Sequence, residues 1–149
     1  CGQGRYSLAF AERGLEVIGL DASEPLLAEA RRLTEATALT VDWVHGDMRD
    51  LPYESQFDHA VLLDSFGFFE QDSENEGVLS ELAKALCPGG RAAVALVNGK
   101  RILSQFEPSA REIVGGATVT VERELDRSSR TLKESVTVSG ATGVAAGER

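Results

Sequence analysis

Apolar and polar positions along the chain change period several times, and each change marks an element. After an opening loop, "RYSLAFAERG" sets Leu8 and Phe10 among helix-tolerant residues and ends at Gly14, which predicts a short helix over 5–13. "LEVIGL" is a short apolar run ending at Asp21, the pattern of a buried parallel strand. In "DASEPLLAEARRL" Ser23 can cap the backbone, Pro25 suits a first turn, and Leu26, Leu27, Ala30 and Leu33 share one helical face. "LTVDWVHGD" reads as a strand ending near Gly46 and Asp47, and "FDHAVLLDSF" as another closing at Asp64 and Ser65, with "MRDLPYES" as the loop between. From Glu74 the spacing of Val78, Leu79, Leu82, Ala83 and Leu86 predicts a helix stopped by "PGG" at 88–90, with the strand "RAAVALVN" following.

Alternation of this kind with short connections predicts an α/β fold with a doubly wound, mostly parallel sheet. Ligands of such sheets lie at the carboxyl ends of the strands, where Asp21, Asp47 and Asp64 fall. The period then changes to two. "ATVTVEREL" and "RTLKESVTV", joined by the polar "DRSSR", predict an appended antiparallel hairpin. The last stretch, "SGATGVAAGER", has no usable periodicity and reads as frayed or cut short. The expected division is therefore a ligand-binding core over 1–99 and a hairpin-bearing segment over 100–149.

Composition narrows the partners. With 149 residues, 42% hydrophobic and 26% charged, the chain has an ordinary globular make-up, and no apolar run approaches the roughly 20 residues of a membrane helix. The lack of such a run predicts no membrane partner, and a net charge of −9 opposes attraction to a phosphate backbone, so nucleic acid is not an expected partner either. Cys1 and Cys87 have neither the number of a disulfide framework nor the spacing of a zinc site, which fits a reducing, cytoplasmic setting and predicts no metal.

The candidate chemistry is at the start of the chain. Glycines after a strand let backbone approach a ligand closely and reach positive φ, as Gly2 and Gly4 could, and an acid ending the next strand, Asp21, can accept from a ribose diol. Two nucleoside-like cofactors meet this description. The dinucleotide fingerprint wants a third glycine where this chain has Ser7, so an NAD(P)-dependent oxidoreductase stays open as an alternative, as does a non-catalytic domain that binds a nucleoside cofactor.

The order of the segments resembles the class I S-adenosylmethionine-dependent methyltransferases. "CGQGR" is similar to their glycine loop, "GLDASEPLLAEAR" to their second-strand acid and following helix, and "GDMRDLPY" to their adenine-side loop; the block from Phe57 to Asn98 is similar to their fourth strand, helix and fifth strand. "VTVERELDRSSRTLKESVTV" resembles the β insertion that a small-molecule subgroup carries after the fifth strand. The resemblance implies S-adenosylmethionine as cofactor and a small-molecule acceptor methylated on nitrogen, oxygen or carbon, with a second copy of the chain as an open option. It also implies that Gly2 and Gly4 approach the methionine and ribose portion, Asp21 binds the ribose hydroxyls, and Ala22 lines the adenine. Asp47 would face the adenine amino group beside Met48 and Arg49, with Leu63, Asp64, Ser65 and Phe66 near the methyl end. The family's first strand and its final strands have no counterpart in the chain, so truncation at both ends is expected.

Other reactive side chains read as structural. His59 opens a strand at the end away from the expected site, and His45 precedes the loop without a visible partner, so no general base is assigned. Cys1 and Cys87 read as packing and helix-end residues, Trp43 as core, and Phe66, Phe68 and Phe69 as core or pocket lining. "EQDSENE" reads as a solvated helix start.

Overall fold

The computed structural model describes residues 1–140 and 143–148, and the chain divides into two compact units, Cys1–Leu96 and Val97–Arg149. The first unit contains α1 (Arg5–Ala11), β1 (Ile18–Asp21), α2 (Glu24–Glu35), β2 (Asp42–His45), β3 (Phe57–Leu63), α3 (Asp72–Ala85) and β4 (Leu86–Ala95). Its strands form two parallel pairs. β1 runs beside β2 with Asp21 opposite His45, and β3 beside β4 with Leu63 opposite Ala95, so within each pair the carboxyl ends coincide. Loops leaving those ends are therefore held side by side, which is the placement a parallel fold uses for ligands.

Packing follows the predicted helix faces only in part: Leu26, Leu79 and Ala83 are exposed, and Leu86 belongs to the following strand. Leu27 and Ala30 of α2 and Val78 of α3 are fully buried, and Val41, Leu51 and Ala85 nearly so. Each fully buried leucine or valine contributes about 1.5–3 kcal/mol. Pro25 stands in the first turn of α2, as its fixed φ favours. Ser23 occupies the N-cap position, but its side chain makes no capping bond.

Three boundaries differ from the sequence reading. α1 ends at Ala11. α3 starts at Asp72, ahead of Glu74, because both carboxylates favour the positive end of the helix dipole. "PGG" is not a turn outside a strand: β4 begins at Leu86, and residues 87–90 all stand opposite Asp58 in a bulge between the Phe57–Leu86 and His59–Arg91 pairs. Gly89 at φ 86° permits that bulge, and a Cβ on Gly90 would lie 2.9 Å from the Cys87 carbonyl oxygen.

The second unit contains α4 (Gly99–Ser104) and an antiparallel sheet in the order β5 (Ser109–Val114), β6 (Ala117–Asp126), β7 (Thr131–Gly140) and β8 (Gly143–Glu148). The predicted hairpin is β6 and β7, but it is extended on both sides. β5 pairs along β6 through the Gly115–Gly116 turn, and β8 pairs along β7, so most of the tail read as frayed is a strand. Residues 141, 142 and 149 of that tail lie outside the described residues. β8 takes its register from the backbone edge of β7 rather than from any apolar alternation, which is why the sequence carried no signal for it. From Val97 to Gly140 no residue is fully buried.

Candidate functional site

The glycine loop closes onto the end of β1. Gly2 and Gly4 both take left-handed φ, 58° and 81°, and the Gly4 amide donates to the Cys1 carbonyl at 3.1 Å, making a tight turn that delivers the chain into α1. The Gly2 amide donates to Asp21 Oδ2 at 2.6 Å, and the Cys1 nitrogen lies 2.8 Å from the same oxygen and 2.9 Å from the Leu20 carbonyl oxygen. Ser23 N–H donates to Oδ1 at 2.9 Å, so Asp21 fixes the turn that leads into α2 as well as holding the loop. Partial burial pushes the Asp21 carboxyl up, while the hydrogen bonds from the Gly2 and Ser23 amides pull it down.

This junction leaves acceptor capacity on Asp21 beside an open backbone turn. A carboxylate offers about four acceptor positions. Cys1 and Gly2 fill two on Oδ2 and Ser23 one on Oδ1, which leaves Oδ1 able to accept from a hydroxyl. A Cβ added to Gly2 would meet nothing within 4 Å, so the space beside that backbone is open. The Gly4 position is different: a Cβ there would overlap the ring of Trp43. Ala22 is exposed next to Asp21, and its carbonyl is 3.0 Å from His45 Nε2. Since a carbonyl only accepts, Nε2 carries the proton, and His45 ties the loop after β1 to the end of β2.

A second group of predicted residues gathers after β2. Asp47 accepts from the Arg49 backbone N–H at 2.9 Å and from its guanidinium at 2.6 and 3.1 Å. The same guanidinium reaches Glu74 Oε1 at 2.6 Å and stacks over Phe69 at 4.4 Å. Arg49 thereby lowers the Asp47 pKa, while Asp47 and Glu74 raise that of Arg49. Met48 lies half-buried between these two side chains in sequence. Sequence reasoning misses Glu74 as a member of this group, because a 25-residue separation gives no periodic signal that could pair it with Arg49.

The third group leaves β3. Asp64 adopts φ 53°, its amide donates to the Ala95 carbonyl at 3.4 Å, and Ser65 Oγ donates to the Leu63 carbonyl at 2.7 Å. A non-glycine residue in the left-handed region is uncommon and tolerated best by Asp and Asn. Phe66 is half-buried, and Gly67 at φ 87° completes the turn. His59 is exposed opposite Arg91 near the start of β3. Cys87 Sγ donates to the Ser55 carbonyl at 3.1 Å, a structural contact.

Comparisons with known proteins give this geometry a setting. Residues 1–90 match the family described as methyltransferase domain. The chain is 33% identical to a cypemycin N-terminal methyltransferase from a Streptomyces species, an alignment that covers 98% of this chain and 60% of that protein. It is 40% identical over 95 residues to a demethylmenaquinone methyltransferase from Thermus thermophilus, covering 62% of this chain and 42% of the relative. A solved S-adenosylmethionine-dependent methyltransferase from Clostridium acetobutylicum superposes with a TM-score of 0.83 at 14% identity, over 100% of this chain and 61% of that one, and so shares the fold.

Proposed function

The chain belongs to the class I S-adenosylmethionine-dependent methyltransferases, and on that premise we propose that the protein transfers a methyl group to a nitrogen, oxygen or carbon of a small-molecule acceptor. The observation that carries the reading is the junction of Gly2 with Asp21, where an open backbone turn meets a carboxylate with one acceptor position to spare. Asp21 would hold a ribose hydroxyl, and the space beside Gly2 would take the neighbouring part of the cofactor. Asp47, Met48 and the loop they share would border the base, and Leu63, Asp64, Ser65 and Phe66 the reacting end.

When bound, S-adenosylmethionine supplies a methyl group already activated as a sulfonium. The chain's own residues then have to bind, orient and exclude water rather than generate a strong nucleophile. This is consistent with a site in which the charged side chains are committed to holding loops: Asp21 to Gly2 and Ser23, Arg49 to Asp47 and Glu74. The unit that begins at Val97 is assigned to acceptor recognition, supported by its position outside the family match. An amine is the acceptor to try first, because the N-terminal methyltransferase relative aligns across both units.

The test is methyl transfer from isotope-labelled S-adenosylmethionine to a panel comprising a peptide with a free α-amino group, an amino sugar and a quinol, read by mass spectrometry. Labelled product from one class is the expected outcome. A preparation that binds the cofactor but methylates nothing in the panel would favour a binding domain over an enzyme.

A further inference from the structure

We propose that Trp43 is a positioning residue for the cofactor site, its indole setting the separation between the glycine loop and Asp21. The inference rests on the cofactor reading of Gly2 and Asp21 given above, and two absent side chains point to it. Trp43 on β2 stands directly opposite Gly19 on β1. A Cβ on Gly19 would come within 2.6 Å of Trp43 Cε3, closer than real Cβ atoms approach, so the ring lies across the strand in the space that Gly19 leaves. The far edge of the same ring then lies against Gly4, where a Cβ would be 2.9 Å from Cζ2 and 3.0 Å from Cζ3.

One rigid ring therefore touches both elements of the candidate site. Gly19 is two residues before Asp21 on β1, and Gly4 is two residues after Gly2 in the loop. The ring's rotation is also fixed, because Nε1–H donates to Thr34 Oγ1 at 3.1 Å and that hydroxyl donates to the Ala30 carbonyl at 2.7 Å. Ala30 is fully buried in α2, so the anchor belongs to the packed core. Ser7, the residue standing where a dinucleotide fingerprint has its third glycine, is buried with its Oγ 3.2 Å from the Cβ position of Gly19. The close approach of helix to strand that the third glycine serves elsewhere is here obtained from the strand side, by Gly19.

Trp43 is also the chain's single tryptophan, so its emission reports on this one place. The experiment titrates S-adenosylhomocysteine into the protein and follows both tryptophan fluorescence and calorimetric affinity, alongside Trp43→Leu, Gly19→Ala and the double variant, each confirmed as folded by circular dichroism. Expected results are a saturable emission change in the unsubstituted protein, an affinity at least about tenfold weaker in each single variant, and a double variant no weaker than Trp43→Leu. That last result separates positioning from general destabilisation, since Gly19→Ala acts on the site by displacing the indole. Should Trp43→Leu fail to fold, Thr34→Val leaves the ring in place but frees it from its anchor, and a weaker affinity is again expected. Binding that is unchanged in the folded variants, or losses that simply add in the double variant, would overturn the proposal. Absence of binding to the unsubstituted protein would instead overturn the cofactor reading beneath it.

Discussion

Gly2 has open space where a Cβ would stand, whereas Gly4 has the Trp43 ring there, although both residues sit at positive φ. The two positions should therefore respond differently to the same substitution. Gly2→Ala places a methyl group in free space at φ 58°, where the left-handed conformation costs an L-residue about 1–2 kcal/mol. The expected outcome is a modest drop in melting temperature with a disproportionate loss of S-adenosylhomocysteine affinity, because the methyl occupies the volume assigned to the ligand. A variant that loses stability but binds as before would remove Gly2 from the site. At this scale the glycines and Asp21 are legible in the sequence, since both carry local signatures. That Gly4 is a packing requirement of Trp43, or that Arg49 is shared between Asp47 and Glu74, is not, because those contacts are set by which loops the strand ends bring together.

Elements with their own apolar face can be read directly from residue spacing. α2 buries Leu27 and Ala30 and α3 buries Val78 from their predicted faces, while Leu26, Leu79 and Ala83 on those faces are exposed, and β6 and β7 pair as the predicted hairpin. β5, β8 and α4 cannot be read in this way, because two of them are strands specified by pairing to a neighbour and the third has six residues, too few for a periodic face. The turn between β6 and β7 shows how a polar stretch can still be specific. Asp126 Oδ1 accepts from the Ser128 N–H at 2.8 Å, from its hydroxyl at 2.6 Å and from the Ser129 N–H at 3.3 Å, which holds the carboxyl down to about 2. A group whose folded pKa is depressed stabilises the fold above its ordinary value and loses that contribution as pH falls through the folded one. The turn should therefore be indifferent to pH around neutrality and loosen between about pH 4 and pH 2. Carboxyl chemical shifts of Asp126 would check this, and a midpoint near the ordinary aspartate value would show that the three hydrogen bonds do not form in solution.

The chain as a whole comprises two compact units, and the family match of residues 1–90 falls within the first. It spans 60% of the length of the Streptomyces relative. Among the described residues β1 pairs with β2 and β3 with β4, and the residues proposed for the cofactor, apart from the glycine loop, lie at or follow the carboxyl ends of both pairs in sequence. That arrangement makes cofactor binding the property on which everything else depends. The most direct measurement is isothermal titration of S-adenosylhomocysteine into the protein and into Asp21→Ala, with circular dichroism to show that both are folded. One binding site is expected, weakened about 10- to 100-fold by the substitution, the range that loss of a hydrogen bond to a charged group implies. No binding to the unsubstituted protein, or equal binding to the folded Asp21→Ala variant, would contradict the account.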